Sequence, residues 1–271
     1  MDLGAYLTRI GFEGSPRVDR DTLGRLHRGH LQSIPYENFD VALGRGASRD
    51  LELVFDKLVT RRRGGWCYEM CGLFAWAIGE LGFAVTPLAG GVERVTRGDS
   101  AVGNHLVLLV DLDRRYLCDV GFGDGLLEPI ELVPGVYRQT FLEFRLELLG
   151  AGQGDGAWWR LHNHPEGGAS SFDFQLDRAE ESLLDERCLW LQTSPESSFV
   201  QNVVAQRHVG DGLVMLRGKV LKRVTEAGVT RRELGSGDEL VETLAEVFDL
   251  DLPEAAALWP AIEARHLERT G

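Results

Sequence analysis

The chain lacks the cysteine pairs from which proteins build zinc cages. Only four cysteines occur in 271 residues: Cys67 and Cys71 lie four residues apart, while Cys118 and Cys188 lie far from them in the sequence. Without a CxxC pair, spacing predicts no structural zinc site, although Cys67, Cys71, Cys118 and His105 around one metal ion stay an alternative. We expect free thiols, as in a reducing compartment.

Long apolar runs and a surplus of positive charge are also absent. Asp or Glu interrupts every longer apolar stretch, and residues 1–12 have neither the basic nor the apolar segment of a signal peptide. The chain has 42 acidic and 29 basic residues, and its net charge of -13 repels a phosphate backbone. These absences predict a cytoplasmic protein with no membrane segment and no nucleic-acid partner.

The amino-acid composition is that of an ordinary globular protein. The hydrophobic fraction is 44% and the charged fraction 26%, so the chain can bury a large core. A length of 271 residues predicts two packed domains, or one core with an appended subdomain.

The first third of the chain has helical spacing. Apolar residues recur at helical intervals between Asp21 and Ile34, and Asp50 stands where a helix N-cap is expected. From Cys67 onward the same spacing returns, and Gly82 stands where a glycine would end that helix. The pattern predicts that Cys67 opens a buried helix.

Short β-rich runs then indicate a mostly antiparallel sheet. Residues 105–112 and 115–120 predict a hairpin with its turn at Asp113-Arg114, and residues 199–205 predict a later strand. The glycine-rich residues 150–156 predict a surface loop. Ser236 and Glu239 form a capping box that predicts a C-terminal helix.

Residues 61–69, RRRGGWCYE, carry the strongest chemical signal. Two glycines let a loop approach the start of a helix closely, and that helix begins with a cysteine. Free N–H groups at the helix start stabilise a thiolate, and we expect the arginines at 61–63 to add to the effect. Cys67 is therefore a candidate nucleophile, although a cysteine in a helix stripe can also be simple core packing.

A cysteine nucleophile needs a base and a group that orients the base. His105 starts one strand of the predicted hairpin and Asp119 ends the facing strand. Counting back from the turn places the two residues near the same level, so we expect their side chains to meet.

These segments resemble the signature blocks of the arylamine N-acetyltransferases. The blocks are RGGWCYE at 63–69, NH at 104–105 and DVGFG at 119–123, with supporting matches at 6–12, 34–40 and 193–199. The resemblance implies an α+β fold: a helical bundle at 1–84, an antiparallel β-barrel-like domain at 85–190 and an α/β lid at 191–271. It also implies a papain-like triad of Cys67, His105 and Asp119.

The resemblance further implies a ping-pong reaction. Acetyl-coenzyme A would acetylate Cys67, and an arylamine, hydrazine or arylhydroxylamine would then take the acetyl group, with no metal involved. Residues at positions that line the acceptor cleft of the family are Tyr36, Val92, Phe122 and Phe199. Candidate coenzyme A contacts are Gly121, Gly123, Thr193 and Ser194. Glu37 and Arg63 resemble a buried ion pair of the family.

Coenzyme A carries several negative charges, so an acidic protein that binds it must gather positive charge near the site. The basic residues that concentrate after Thr193 are Arg207, Arg217, Lys219, Lys222 and Arg223. We expect them near the nucleophile, although edge strands also carry such charges to prevent aggregation.

Two residues depart from the family pattern. Cys71 stands where the family usually has Asn, and Gly91 stands where it usually has Arg. We expect neither to touch the triad directly.

Other functions stay open at this point. An amide synthase of the same superfamily would share the triad but take a long acyl chain from a carrier protein. A papain- or transglutaminase-like hydrolase would need an open peptide groove, and a zinc-binding protein would use the Cys/His cluster. A homo-oligomer is also open.

Overall fold

Helices form the first third of the chain, where apolar residues recur at helical spacing. They are α1 (Leu3–Arg9), α2 (Arg20–Ser33), α3 (Phe39–Ala42), α4 (Leu51–Phe55) with a π-helical turn (Asp56–Thr60), and α5 (Cys67–Glu80), with one short strand, β1 (Tyr36–Glu37). Asp50 caps α4 as predicted, since its carboxylate accepts from the next turn's N–H groups. Cys67 opens α5 as predicted, and Gly82 follows its end with a φ of 97°.

An antiparallel sheet occupies the middle of the chain. Its strands are β2 (Ala84–Val92), β3 (His105–Asp111), β4 (Arg115–Cys118), β5 (Ile130–Glu131), β6 (Gly135–Gln139), β7 (Leu142–Leu149), β8 (Trp158–His162) and β9 (Ser171–Arg178). They pair in the order β5-β4-β3-β2-β9-β8-β7-β6 and curve into a nearly closed barrel. Between β2 and β3 lie α6 (Arg94–Arg97) and a 3₁₀ helix (Gly98–Ala101).

A second sheet and more helices complete the chain. The elements are α7 (Glu181–Thr193), α8 (Ser198–Gln201), β10 (Val204–Val209), β11 (Gly212–Arg217), β12 (Val220–Thr225), β13 (Gly228–Glu233), α9 (Gly237–Phe248), a 3₁₀ helix (Pro253–Leu258) and α10 (Trp259–Thr270). The sheet order is β1-β10-β11-β12-β13, and Tyr36 pairs with Gln206. Strand β1 of the helical part thus joins the C-terminal sheet through backbone hydrogen bonds.

This computed structural model describes residues 1–150 and 156–270, and the α+β fold class is confirmed. The predicted loop at 150–156 lies for the most part outside those residues. No helix within them is both long and apolar enough to cross a membrane.

One prediction of secondary structure is wrong. Residues 199–205 begin as helix α8, and the strand starts only at Val204. The reason is a cap: the Ser197 side chain accepts from the N–H of Phe199 and starts a helical turn. The Ser236 cap of α9 is confirmed, but Glu239 bonds back to the N–H of Gly235 rather than to that of Ser236.

Strand β3 separates two hydrophobic cores. Leu106, Leu108 and Val110 pack with the helices around α5, whereas Val107 and Leu109 pack inside the barrel. This alternation follows from the two-residue period of a strand. His105 has the parity of Val107, and its ring packs against barrel aromatics.

A buried network of charges holds the segment that leads into α5. Lys57 Nζ lies 2.9 Å from Glu69 Oε1 and 2.8 Å from Asp40 Oδ2. Arg63 Nη2 lies 2.6 Å from Glu37 Oε1 and 3.3 Å from Asp40 Oδ1. Burial opposes the charged form of Asp40, but Lys57 and Arg63 outweigh it and lower the pKa of that carboxyl. Asp40 therefore joins two cations of the segment that precedes the glycine loop.

The network predicts a large cost for losing Lys57, which is 5% exposed. Lys57→Met should lower the free energy of unfolding by about 3–5 kcal/mol, because the buried Glu69 loses its cation and Asp40 loses one of its cations. Urea unfolding measures this loss. Arg61→Met is the matched control: Arg61 also pairs with a carboxylate but is 54% exposed, so its loss should stay below about 1 kcal/mol. Equal losses in the two variants would contradict the role of the network.

Candidate active site

The thiol of Cys67 lies at the first turn of α5, inside the protein. Cys67 is 2% exposed, and its Sγ lies 3.9 Å from the carbonyl oxygen of Asn104, the residue before β3. The start of α5 thus faces the strand that carries His105.

The two glycines before the helix bring this loop into direct backbone contact with β1. The N–H of Gly65 donates to the Pro35 carbonyl at 3.2 Å, and the Gly65 carbonyl accepts from the N–H of Glu37 at 2.9 Å. A Cβ on Gly64 would overlap the Pro35 carbonyl oxygen. A side chain at residue 64 would keep the loop away from β1, so the Gly64-Gly65 pair determines where the loop places Cys67.

Strands β3 and β4 bring His105 and Asp119 together. They pair Asp111 with Arg115, so the turn is residues 112–114 rather than the predicted Asp113-Arg114 alone. The register places both side chains on one face, with His105 Nε2 2.9 Å from Asp119 Oδ2. Both residues are buried. Because the aspartate occupies Nε2, Nδ1 is the ring nitrogen left for a cysteine.

Gly121 packs this loop against the helix of the nucleophile. A Cβ on Gly121 would lie 2.8 Å from Cys67 Cα and 2.8 Å from Cys71 Sγ. Its N–H donates to Asp119 Oδ1 at 2.9 Å. The carboxylate is thus bonded to His105 on one oxygen and to its own loop on the other.

Burial works against a thiolate at Cys67. Desolvation raises the pKa of the thiol well above its ordinary value, and the negative charge of Asp119 adds to this. The backbone N–H groups of Leu106 and Tyr68 oppose the rise. A bare thiolate is therefore costly, and the proton needs a base within the same dry space.

The expected help from neighbouring arginines is wrong. Each arginine at 61–63 already pairs with carboxylates of its own, which are Asp56 for Arg61, Asp249 for Arg62, and Glu37 with Asp40 for Arg63. None of the three side chains lines the cavity at Cys67.

A cavity of about 830 Å³ opens at Cys67 and His105, between the barrel and the C-terminal sheet. The four residues predicted for the acceptor cleft all line it: Tyr36, Val92, Phe122 and Phe199. The Phe122 ring lies 5.3 Å from the His105 ring, between centroids. The aromatic side chains of Tyr36, Phe122 and Phe199 along the cavity suit a flat apolar ligand.

One wall of the cavity carries cations. Of the predicted basic residues, Arg217, Lys219 and Lys222 line it. Arg207 instead donates to the carbonyl oxygen of Gln32, and Arg223 pairs with Asp211. Sequence reasoning missed three further cavity-lining arginines, Arg97, Arg231 and Arg265. They are far apart along the chain, so no local cluster marked them.

The residues predicted to contact coenzyme A have other partners. The N–H of Gly121 donates to Asp119 Oδ1, and a Cβ on Gly123 would lie 2.9 Å from the ring of Tyr36. Thr193 Oγ1 donates to the carbonyl of Leu189, and the N–H of Ser194 donates to that of Trp190. Of the predicted four, Gly121 lines the cavity.

Metal chemistry finds no support in the side-chain arrangement. Across residues 1–150 and 156–270, no group of three or more His, Cys, Asp or Glu side chains is placed to hold a metal ion.

Comparison with known proteins gives consistent matches over most of the chain. Residues 19–257 match a family model described as N-acetyltransferase. The arylamine N-acetyltransferase of Mycolicibacterium smegmatis is 37% identical over 270 residues, which cover 94% of this chain and 94% of that protein. The chain belongs to the arylamine N-acetyltransferase family.

Solved structures of the family agree in fold. The arylamine N-acetyltransferase from Mycobacterium abscessus gives a TM-score of 0.84 at 30% identity, covering 98% of this chain and 95% of that one. The Mycobacterium marinum enzyme in complex with CoA gives 0.83 at 30% identity, covering 97% and 98%. The protein is therefore an N-acetyltransferase with the fold of this family.

The two departures from the pattern of the arylamine N-acetyltransferases behave differently. The expectation that Cys71 does not touch the triad residues is wrong, because its Sγ lies 3.9 Å from Asp119 Oδ1. It sits one helical turn after Cys67, on the same face. Gly91 lies on β2 opposite Asp173, away from these side chains.

Buried histidines predict how the stability of this acetyltransferase depends on pH. Burial lowers the pKa of His27 to about 4 and that of His208 to about 3, and it also lowers the pKa of His30 and His164. Their folded pKa values lie below the unfolded value of about 6.5, so the unfolded chain binds protons first as pH falls. Asp124 acts oppositely, because burial raises its pKa to about 6.

We therefore expect the free energy of unfolding to fall from neutral pH toward about pH 5, with a net uptake of about two or more protons on unfolding. Urea unfolding across this range measures the slope. A free energy that stays constant or rises over the same range would contradict the neutral, buried state of these rings.

Proposed function

We propose that this enzyme transfers the acetyl group of acetyl-coenzyme A to an arylamine or arylhydrazine through an acetyl-Cys67 intermediate. One observation carries the proposal: Cys67 and His105 line the same cavity, and His105 Nε2 lies 2.9 Å from Asp119 Oδ2. The CoA complex of the related Mycobacterium marinum enzyme supports the choice of donor.

In the first half-reaction, Cys67 Sγ attacks the thioester carbonyl while His105 takes the thiol proton at Nδ1. The tetrahedral intermediate expels the coenzyme A sulfur, which receives that proton from His105. Asp119 holds the proton of the neutral ring on Nε2 and stabilises the imidazolium that forms between these steps. Burial and the charge of Asp119 both oppose a bare thiolate, so the proton passes to His105 as the sulfur attacks.

In the second half-reaction, the amine enters the space that coenzyme A has left. Its nitrogen attacks the acetyl carbonyl of Cys67, and His105 takes the proton of the nitrogen. The Cys67 sulfur then leaves and regains a proton from His105. The Phe122 ring beside His105 gives a flat aromatic acceptor a surface on which to pack.

The basic wall supports a donor with several phosphates. Lys222 and Arg231 share Glu166 as a partner, at 2.7 and 3.2 Å, and Lys219 lies 3.5 Å from Glu233. These cations are already aligned along the cavity of an acidic protein, so coenzyme A phosphates would meet local positive charge there.

An acyl-enzyme should form without any acceptor. Incubation with acetyl-coenzyme A alone should place one acetyl group on Cys67, detected by intact mass and peptide mapping, and an aminobenzoate or hydrazide should then remove it. Cys188→Ala is the matched control and should keep the adduct, while Cys67→Ala should lose it. An adduct on another cysteine would overturn the assignment. Reaction only with a long-chain acyl carrier thioester would indicate an amide synthase instead.

Asp119→Asn should cripple acetylation in a folded protein. The equivalent change in a serine-protease triad costs about ten thousand-fold, and we expect a smaller loss that still exceeds about tenfold, because a thiolate forms more easily than an alkoxide. Single-turnover acetylation measures the rate, and circular dichroism checks the fold. Asp113→Asn, in the turn of the same hairpin, should react as the wild type does. A rate for Asp119→Asn within tenfold of the wild-type rate would remove Asp119 from the triad.

The acceptor is proposed as a class only, since arylamines, hydrazines and arylhydroxylamines share a nucleophilic nitrogen or oxygen next to an apolar body. A cytoplasmic location stays a prediction from sequence, and so does a homo-oligomer.

A further inference from the structure

A histidine outside the proposed triad, His27, bonds to two backbone groups of the connection between β4 and β5, which carries Asp119. His27 lies on α2 and is fully buried. Its Nε2 accepts from the backbone N–H of Asp119 at 3.0 Å, and its Nδ1 donates to the carbonyl oxygen of Leu127 at 3.0 Å. One ring thus bonds to Asp119 and to Leu127, eight residues apart; the segment between them is called the loop 119–127.

Two more buried histidines bond to the middle of the same loop. His164 Nε2 lies 2.9 Å from the carbonyl oxygen of Asp124, and His208 Nε2 lies 3.1 Å from that of Gly125. The loop has no strand partner for these backbone groups, and a buried backbone group without a partner is costly. The rings of His27, His164 and His208 therefore supply hydrogen-bond partners that a neighbouring strand would otherwise provide.

The bond to Asp119 requires one form of the His27 ring. Only a neutral ring with its proton on Nδ1 can donate to Leu127 and accept from Asp119 at once. Burial lowers the pKa of His27 to about 4, so the ring is neutral at neutral pH. The other titratable groups whose charges act on this ring or feel its charge are Asp119, His30 and His208.

We infer that His27 is a positioning residue: it holds the backbone of Asp119 so that the carboxylate meets His105, and it thereby sets how readily Cys67 loses its proton. The inference rests on the proposed function, because it takes these three residues as the triad. Without His27, the N–H of Asp119 loses its acceptor in a dry interior and the loop must shift to find another. A displacement of about 1 Å at a reacting group costs up to about a hundredfold in rate.

The test is the pH profile of Cys67 alkylation by iodoacetamide with no acyl donor present. His27→Leu should move the profile to higher pH and slow alkylation at neutral pH by about ten- to a hundredfold. His30→Leu is the matched control: His30 lies one turn away, is equally buried and packs on the same Phe74 ring, but it bonds to Tyr6. It should lose similar stability and keep the wild-type profile. A merely structural role of His27 would make the two variants alike and would overturn the inference.

Asp119→Asn in the same assay separates the inference from the proposed function. If Asp119→Asn moves the profile and His27→Leu does not, the triad stands and the role of His27 is refuted. If neither moves it, the triad itself fails.

If His27→Leu does not fold, a measurement on the wild-type protein tests the inference instead. Nitrogen-15 chemical shifts of the assigned His27 ring report which nitrogen carries the proton. We expect Nδ1–H at neutral pH, whereas His164 and His208 should carry the proton on Nε2. A proton on Nε2 of His27 is incompatible with the bond from Asp119 and would overturn the inference.

Discussion

A buried thiol is a poor nucleophile by itself, and the rest of this site follows from that constraint. Burial raises the pKa of Cys67, so its proton can leave only to a base that shares the same dry space. In the proposed mechanism His105 takes that proton, and Asp119, whose Oδ2 lies 2.9 Å from His105 Nε2, stabilises the resulting charge.

This arrangement is held by backbone contacts more than by the reacting side chains. The glycine loop pairs with β1, Gly121 rests on the start of α5, and buried charges clamp the segment around Lys57. These contacts come from parts of the chain that are far apart in sequence. The fold thus holds Cys67 and the His105–Asp119 pair in place before any substrate enters, and in the proposed mechanism this lowers the cost of reaching the reactive geometry.

The sequence predicted the helix that begins at Cys67 and the hairpin that starts at His105, because each leaves a local pattern, whereas the four predicted cavity-lining residues came from the family resemblance. Prediction failed where a tertiary contact decides. Arg62 and Arg63 pair with carboxylates that folding brings near, and Cys71 reaches Asp119 across the space that Gly121 leaves open. His27 gave no signal, since its partners on the loop 119–127 follow much later in the chain.

At neutral pH, Cys67 should react only when His105 can take its proton. The rate of Cys67 alkylation against pH in His105→Gln, with Cys67→Ala as the background, tests this. We expect alkylation at neutral pH nearly to disappear and to return only at a pH above the pKa of an ordinary thiol, which is about 8.5. Unchanged reactivity at neutral pH, or the profile of an ordinary thiol, would contradict it.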